Sequence, residues 1–153
     1  PASSFMFRDL MPRLADSYHL IAPDLPGFGL SEMPGRDHFA YTFDQLVHVI
    51  DAFTHQLGLD RYALYIFDYG APVGLRLALR QPQRVTGLIT QNGNAYEEGL
   101  SAGWADIRAY WADPTPPRRD AMRAFYTLDS LKYQYLHGVA DPTRVAPEAY
   151  LLD

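Results

Sequence analysis

The hydrophobic and polar positions of the chain follow two periods in turn. Tyr62-Ala63-Leu64-Tyr65-Ile66-Phe67 is a short apolar, β-prone run of the kind that makes a buried strand. Asp68 ends it abruptly. Tyr69-Gly70-Ala71-Pro72 follows, and then helical spacing through Leu75, Leu77 and Leu79 to about Gln81, with Pro82 beyond. Upstream, Leu46, Val49, Ile50, Phe53 and Leu57 share one face of a predicted helix, with His48, Asp51 and His55 largely on another. Thr42 and Gln45 stand at capping-box spacing before it, and Gly58 is placed to end it. Val85-Thr86-Gly87-Leu88-Ile89-Thr90 reads as a further strand, opening into Gln91-Asn92-Gly93-Asn94. Near the start, Ser3 or Ser4 can cap a helix to about residue 14, with Pro12 late in it. Residues 18–22 read as a short strand stopped by Pro23, before a loop rich in turn-formers.

Up to about residue 94 the order is therefore α-β-loop-α-β-α-β. Alternation of this kind predicts a parallel sheet of three strands with flanking helices. After Asn94 no strand pattern remains. Helices are expected over about 101–111, 119–128 and 130–137, the last closed by Gly138, and Pro147 suits the first turn of another. Both tryptophans and six of the eleven tyrosines lie in this later stretch. The expected division is a partial α/β core over 1–94 and a helical cap over 95–153.

Bulk properties narrow the partners. A chain of 153 residues can bury one core, and 48% hydrophobic residues suit a globular domain. The net charge of −5 argues against nucleic acid and anionic membrane as main partners. With no cysteine there is no disulfide, thiol nucleophile or thiolate metal site. No apolar run has membrane-spanning length, and the first residues lack the features of a signal peptide, so a cytoplasmic location is expected. The five histidines show no metal spacing, and no cofactor is implied. Gly27-Phe28-Gly29 opens a loop, not a helix, and lacks the third glycine of a dinucleotide site.

Asp68 carries the candidate chemistry. A strand turning sharply into a helix lifts the corner residue above the sheet edge, where helix N-terminal N–H groups favour an anion. Asp68 there is either an ordinary N-cap or a nucleophile on an elbow. Phe67-Asp68-Tyr69-Gly70-Ala71-Pro72-Val73-Gly74, together with Ile21-Ala22-Pro23-Asp24-Leu25-Pro26-Gly27-Phe28-Gly29-Leu30-Ser31, resembles the α/β-hydrolases with an aspartate nucleophile, the haloalkane dehalogenases and epoxide hydrolases. The resemblance covers nearly the whole chain.

The resemblance implies an α/β-hydrolase core fragment followed by a cap, acting on small apolar organic substrates through an alkyl ester on Asp68. The backbone N–H of Tyr69 would help hold the oxyanion. Trp104, Tyr133, Tyr135 and Asn94 are candidate substrate-binding residues, and Tyr110, Tyr126 and Tyr150 are further aromatic residues of the cap. The resemblance places the catalytic histidine and acid after the cap. It also takes Pro1 as the end of an oxyanion turn, so this stretch is expected to be the central piece of a longer hydrolase without turnover of its own. Two positions depart from the family pattern: Tyr69 stands where many dehalogenases have a halide-binding Trp, and Ile66 where a small residue is usual. The alternative from a different class is a non-catalytic, hydrolase-like binding module. A receiver-type domain with Asp68 as phosphate acceptor would need an acidic pair after its first strand and a lysine late in the sheet, whereas the only lysine is Lys132.

Overall fold

The computed structural model describes residues 2–153. Helix α1 spans Met11–Leu14, α2 Phe43–Gln56, strand β1 Tyr62–Phe67, α3 Gly70–Arg80 and β2 Val85–Gln91. Four further helices follow: α4 Ala105–Ala112, α5 Pro116–Ala121, α6 Leu128–Leu136 and α7 Glu148–Leu151.

The capping signals of α2 act as the sequence predicts. Thr42 is extended, and its side chain accepts the Gln45 N–H at 3.2 Å. Satisfying an otherwise orphaned amide in this way contributes about 1 kcal/mol. At the other end Gly58 takes φ +65°. Its N–H reaches His55 O at 3.0 Å, and the Leu59 N–H reaches Thr54 O at 3.0 Å. This double closure consumes carbonyls that the helix end leaves open.

The buried face of α2 is rotated from the expected one. Leu46, Val47 and Thr54 are buried, Val49, Ile50 and Phe53 are half-buried, and Leu57 is exposed. The cause is α3, which packs along the flank that carries Val47 into the core. Leu46, Val47, Val73 and Leu77 form the centre, with Leu25, Phe39, Phe43, Ile50, Tyr62 and Leu64 against it. The supposedly outward Asp51 and His55 face a buried Arg84. One guanidinium nitrogen lies 2.9 Å from His55 Nε2, 3.4 Å from Asp51 Oδ1 and 2.6 Å from Gln81 Oε1. The other donates to Thr54 Oγ1 at 3.3 Å and to Leu59 O. The group also lies over the Tyr62 ring, 5.3 Å from its centroid. A single cation thus ties the C-terminal ends of α2 and α3 to the start of β1.

Strands β1 and β2 pair in parallel, running from Tyr62↔Val85 to Phe67↔Gln91 with one irregularity between Tyr62 and Ala63. The expected third strand does not pair. Residues 18–22 belong to no ladder among the described residues. An extended segment becomes a strand only when a neighbour takes its N–H and C=O groups, and neither β1 nor β2 does so here. The expected first helix is also broken. Ser4–Phe7 is a 3₁₀ turn with no side-chain cap, and the Ser4 N–H donates to Asp24 Oδ1 at 2.6 Å. Pro12 sits in the first turn of α1, where its missing N–H costs nothing. The later helices shift in the same sense. Pro116 starts α5 instead of preceding it, and Thr127 caps α6 by accepting the Ser130 N–H at 3.2 Å.

Candidate active site

The corner between β1 and α3 is built around one unusual backbone angle. Asp68 lies at φ +47°, in the left-handed region that L-residues other than Asn, Asp and Gly rarely occupy. Tyr69 returns at once to right-handed geometry and caps α3 (φ −62°, ψ −21°), and the Ala71 N–H closes on Asp68 O at 2.9 Å. The chain reverses within these residues, which holds Asp68 above the C-terminal end of β1.

Small residues are needed near this corner at some positions and not at others. A Cβ on Gly70 would meet nothing within 4 Å. The tight approaches are at Ala71, which is fully buried, and at Gly74, where a Cβ would fall 2.4 Å from Ile66 Cγ2. The bulky Ile66 is accommodated because Gly74 has no side chain. Helix α3 can therefore lie directly on β1.

The loop after residue 22 is held by Asp24. Its Oδ1 accepts the Ser4 N–H, its Oδ2 accepts the Leu30 N–H at 2.9 Å, and Ser31 Oγ donates to its main-chain O at 2.7 Å. Gly29 (φ +53°) passes so close that a Cβ there would overlap Asp24 Oδ2 at 2.2 Å. Burial pushes the Asp24 carboxyl pKa up. The N–H groups of Leu30 and Ser4, with the Ser4 side chain, outweigh this and leave it below its ordinary value. Phe28, carried by the same loop, packs edge-on against Tyr69 (5.9 Å between centroids), and Phe43 at the start of α2 does the same from another side (5.2 Å). Loop, α2 and elbow thus meet at the Tyr69 ring. Burial raises the Tyr69 phenol pKa, and Tyr126 and Asp68 add to the rise. The phenol therefore stays protonated and can act as a donor.

Tyr126 is the one tyrosine of residues 95–153 whose charge bears on the Tyr69 phenol. It lies in a 3₁₀ turn, Met122–Tyr126. No local pattern separates it from the other tyrosines of the stretch. The aromatic residues expected to bind substrate make their contacts elsewhere. Trp104 packs against Trp111 at 5.9 Å, and Tyr133 stacks on His137 at 4.7 Å. The Tyr135 hydroxyl donates to Asp153 Oδ2, and Tyr135 lines a cavity of about 410 Å³ with Arg8, Arg144 and Val145. Its pKa is raised by burial and then by Asp153. The Asn94 amide donates to Tyr96 O at 2.9 Å, a turn contact. None of the ring contacts of Trp104, Tyr133 or Tyr135 involves Tyr69. Among the described residues no cluster of His, Asp and Glu could hold a metal ion, and no helix is long and apolar enough to cross a membrane.

A parallel strand, a left-handed corner and a helix lying directly on the strand make a strand–turn–helix elbow with Asp68 at its corner. Residues 1–129 match the model of the alpha/beta hydrolase fold, and the chain belongs to that family. It is 46% identical over its full length to an uncharacterized hydrolase of Saccharomyces cerevisiae, of which it covers 53%. Over 92 residues it is 40% identical to haloalkane dehalogenase 2 of Mycobacterium tuberculosis, covering 60% of this chain and 32% of the relative. The crystal structure of the haloalkane dehalogenase DatA from Agrobacterium tumefaciens C58 superposes on 99% of the chain and 50% of its own (TM-score 0.75, 27% identity). The chain is thus a haloalkane dehalogenase-like α/β-hydrolase, and it spans about half the length, or less, of these relatives.

Proposed function

We propose that this chain carries the nucleophile of a hydrolase for small apolar haloalkanes or epoxides, and that Asp68 is that nucleophile. A carboxylate oxygen of Asp68 attacks a saturated carbon. The new C–O bond forms an alkyl ester as the carbon–halogen or epoxide C–O bond breaks, and the leaving atom takes the electron pair. Water then attacks the ester carbonyl, the alcohol leaves, and the carboxylate is restored. The Tyr69 N–H, at the start of α3, is a donor for the oxyanion of that second half. The protonated phenol of Tyr69 supplies a donor for the departing halide or alkoxide.

The observation that carries this reading is the left-handed backbone of Asp68 at the strand–helix corner. An N-cap needs no such strain: Thr42 and Thr127 cap their helices from extended backbone. Aspartate tolerates the left-handed region better than most residues, and the tight turn into α3 holds it there.

No histidine of the chain is assigned as the base for the second half. His55 faces Arg84 and Asp51, His38 pairs with Asp37 at 3.1 Å, His137 stacks with Tyr133, and His19 and His48 are exposed and stand outside the β1–α3 corner in sequence and element. The chain by itself is therefore expected to be alkylated once and to stop. The test is peptide mass mapping after exposure to a bromoalkane or a terminal epoxide, with Asp68→Asn as control. One ester per chain, on the peptide containing Asp68 and absent from the control, is the expected result. An unmodified Asp68, or sustained product release by the Asp68→Asn protein, would overturn the assignment.

A further inference from the structure

Asp68 has a counterpart on the neighbouring strand. The last ladder pair is Phe67↔Gln91, so the next residues, Asp68 and Asn92, leave β1 and β2 side by side. Both take φ +47°. Asn92 and Gly93 are exposed, and among the described residues neither the Asn92 amide nor the Gly93 N–H makes a hydrogen bond. Gly93 lies flat on α3: a Cβ there would meet Ala71 Cβ at 2.7 Å and Thr90 Oγ1 at 3.0 Å. The residue after Asn92 is thus held as glycine by packing, which leaves its backbone nitrogen unshielded by a side chain. Asn94, two positions on, differs in each respect. Its amide donates to Tyr96 O, its carbonyl oxygen crowds Gly99, and Ala95 follows it.

We infer that Asn92-Gly93 is a self-deamidation site whose product places a second carboxylate beside Asp68. The Gly93 nitrogen gives up its proton to water and attacks Asn92 Cγ. The new C–N bond closes a five-membered imide as the bond from Cγ to the amide nitrogen breaks and ammonia leaves. Water then opens the imide. Attack at Cγ gives an aspartate, and attack at the main-chain carbonyl gives an isoaspartate. One water enters to open the imide and one ammonia departs, with no oxidant or reductant. Neighbouring strands lie about 4.8 Å apart, so the new charge stands within reach of Asp68. A like charge there raises the proton affinity of Asp68, so that its ionisation, and ester formation with it, moves to higher pH. This last consequence rests on the proposed role of Asp68; the modification itself does not.

The test is incubation of the protein in mildly alkaline buffer made with ¹⁸O-water, followed by peptide mapping and enzymatic methylation of isoaspartate. The expected result is conversion at position 92, with uptake of solvent oxygen, while Asn94 stays intact. Asn92→Gln, whose longer side chain would have to close a six-membered ring, should not convert. Absence of conversion at 92, or equal conversion at 94, overturns the site. For the second half, the pH midpoint of ester formation on Asp68 is compared between wild type and Asn92→Asp. An upward shift supports the coupling and an unchanged midpoint overturns it. Failure of both proteins to form the ester would bring down the nucleophile reading, and the coupling with it, leaving the mass result to stand alone.

Discussion

A single carboxylate, Asp24, shows how much one residue can organise. Its two side-chain oxygens hold the backbone N–H groups of Ser4 and Leu30, so segments on either side of the loop share one anchor. Because its folded pKa is depressed, its contribution to stability is fully present above the unfolded pKa, near the ordinary 3.8, and is lost as pH falls through the lower folded value. Asp24→Asn should therefore be less stable than wild type at neutral pH, with the gap narrowing below about pH 4. Denaturant midpoints measured across that range check this. At the same scale, Asp68 was legible in the sequence because an apolar strand rarely ends in a lone carboxylate followed by Gly, Ala and Pro. Tyr126 was not, because nothing local sets it apart from the other tyrosines of the later stretch.

The strand β1 and the helix α3 touch through a matched pair, one large residue and one absent side chain. Gly74→Ala would drive a methyl into Ile66 Cγ2 at 2.4 Å and lift the helix from the strand. The expected loss is about 1–3 kcal/mol, the usual range for overpacking, with a matching fall in the yield of ester on Asp68. Ile66→Ala leaves a cavity and costs about 2–5 kcal/mol alone. The double variant should be more stable than the sum of the two losses, because each change fills or clears the space of the other; thermal unfolding of the four proteins measures that coupling. Arg84 acts at this scale too. Arg84→Met should cost about 2–3 kcal/mol, since it strips Asp51, Gln81 and the Leu59 carbonyl of a charged donor at once. Chemical denaturation with an unchanged m-value would confirm it. The caps of α2 and its closing glycine were readable because capping is local in sequence. Arg84 was not: its partners lie up to 33 residues away, and an arginine after a proline looks like any solvated loop residue.

The whole molecule exposes more surface than its mass warrants. A compact monomer of 17.3 kDa is expected to show about 7,800 Å², and the chain shows 11129 Å². Tyr65, Leu88 and Ile89 stand exposed on the two strands. A two-stranded sheet of this kind is marginal by itself, and its open edges invite further pairing. The isolated chain should bind a hydrophobic dye and grow in apparent size with concentration. A version extended to the length of its relatives should do neither; fluorescence titration and light scattering separate the two outcomes. The parallel α/β order was legible because strand and helix periods alternate cleanly from residue 43 to 91. The pairing of residues 18–22 was not, since periodicity reports which side chains are apolar but not whether a neighbouring strand is there to receive the backbone. The same contiguity bears on synthesis. The elements α2, β1, α3 and β2 follow one another with only short connections between them, so the corner at Asp68 can close while residues 92–153 are still being made. At about 5–20 residues per second that interval is about 3–12 s, during which the newborn sheet must stay out of reach of other chains.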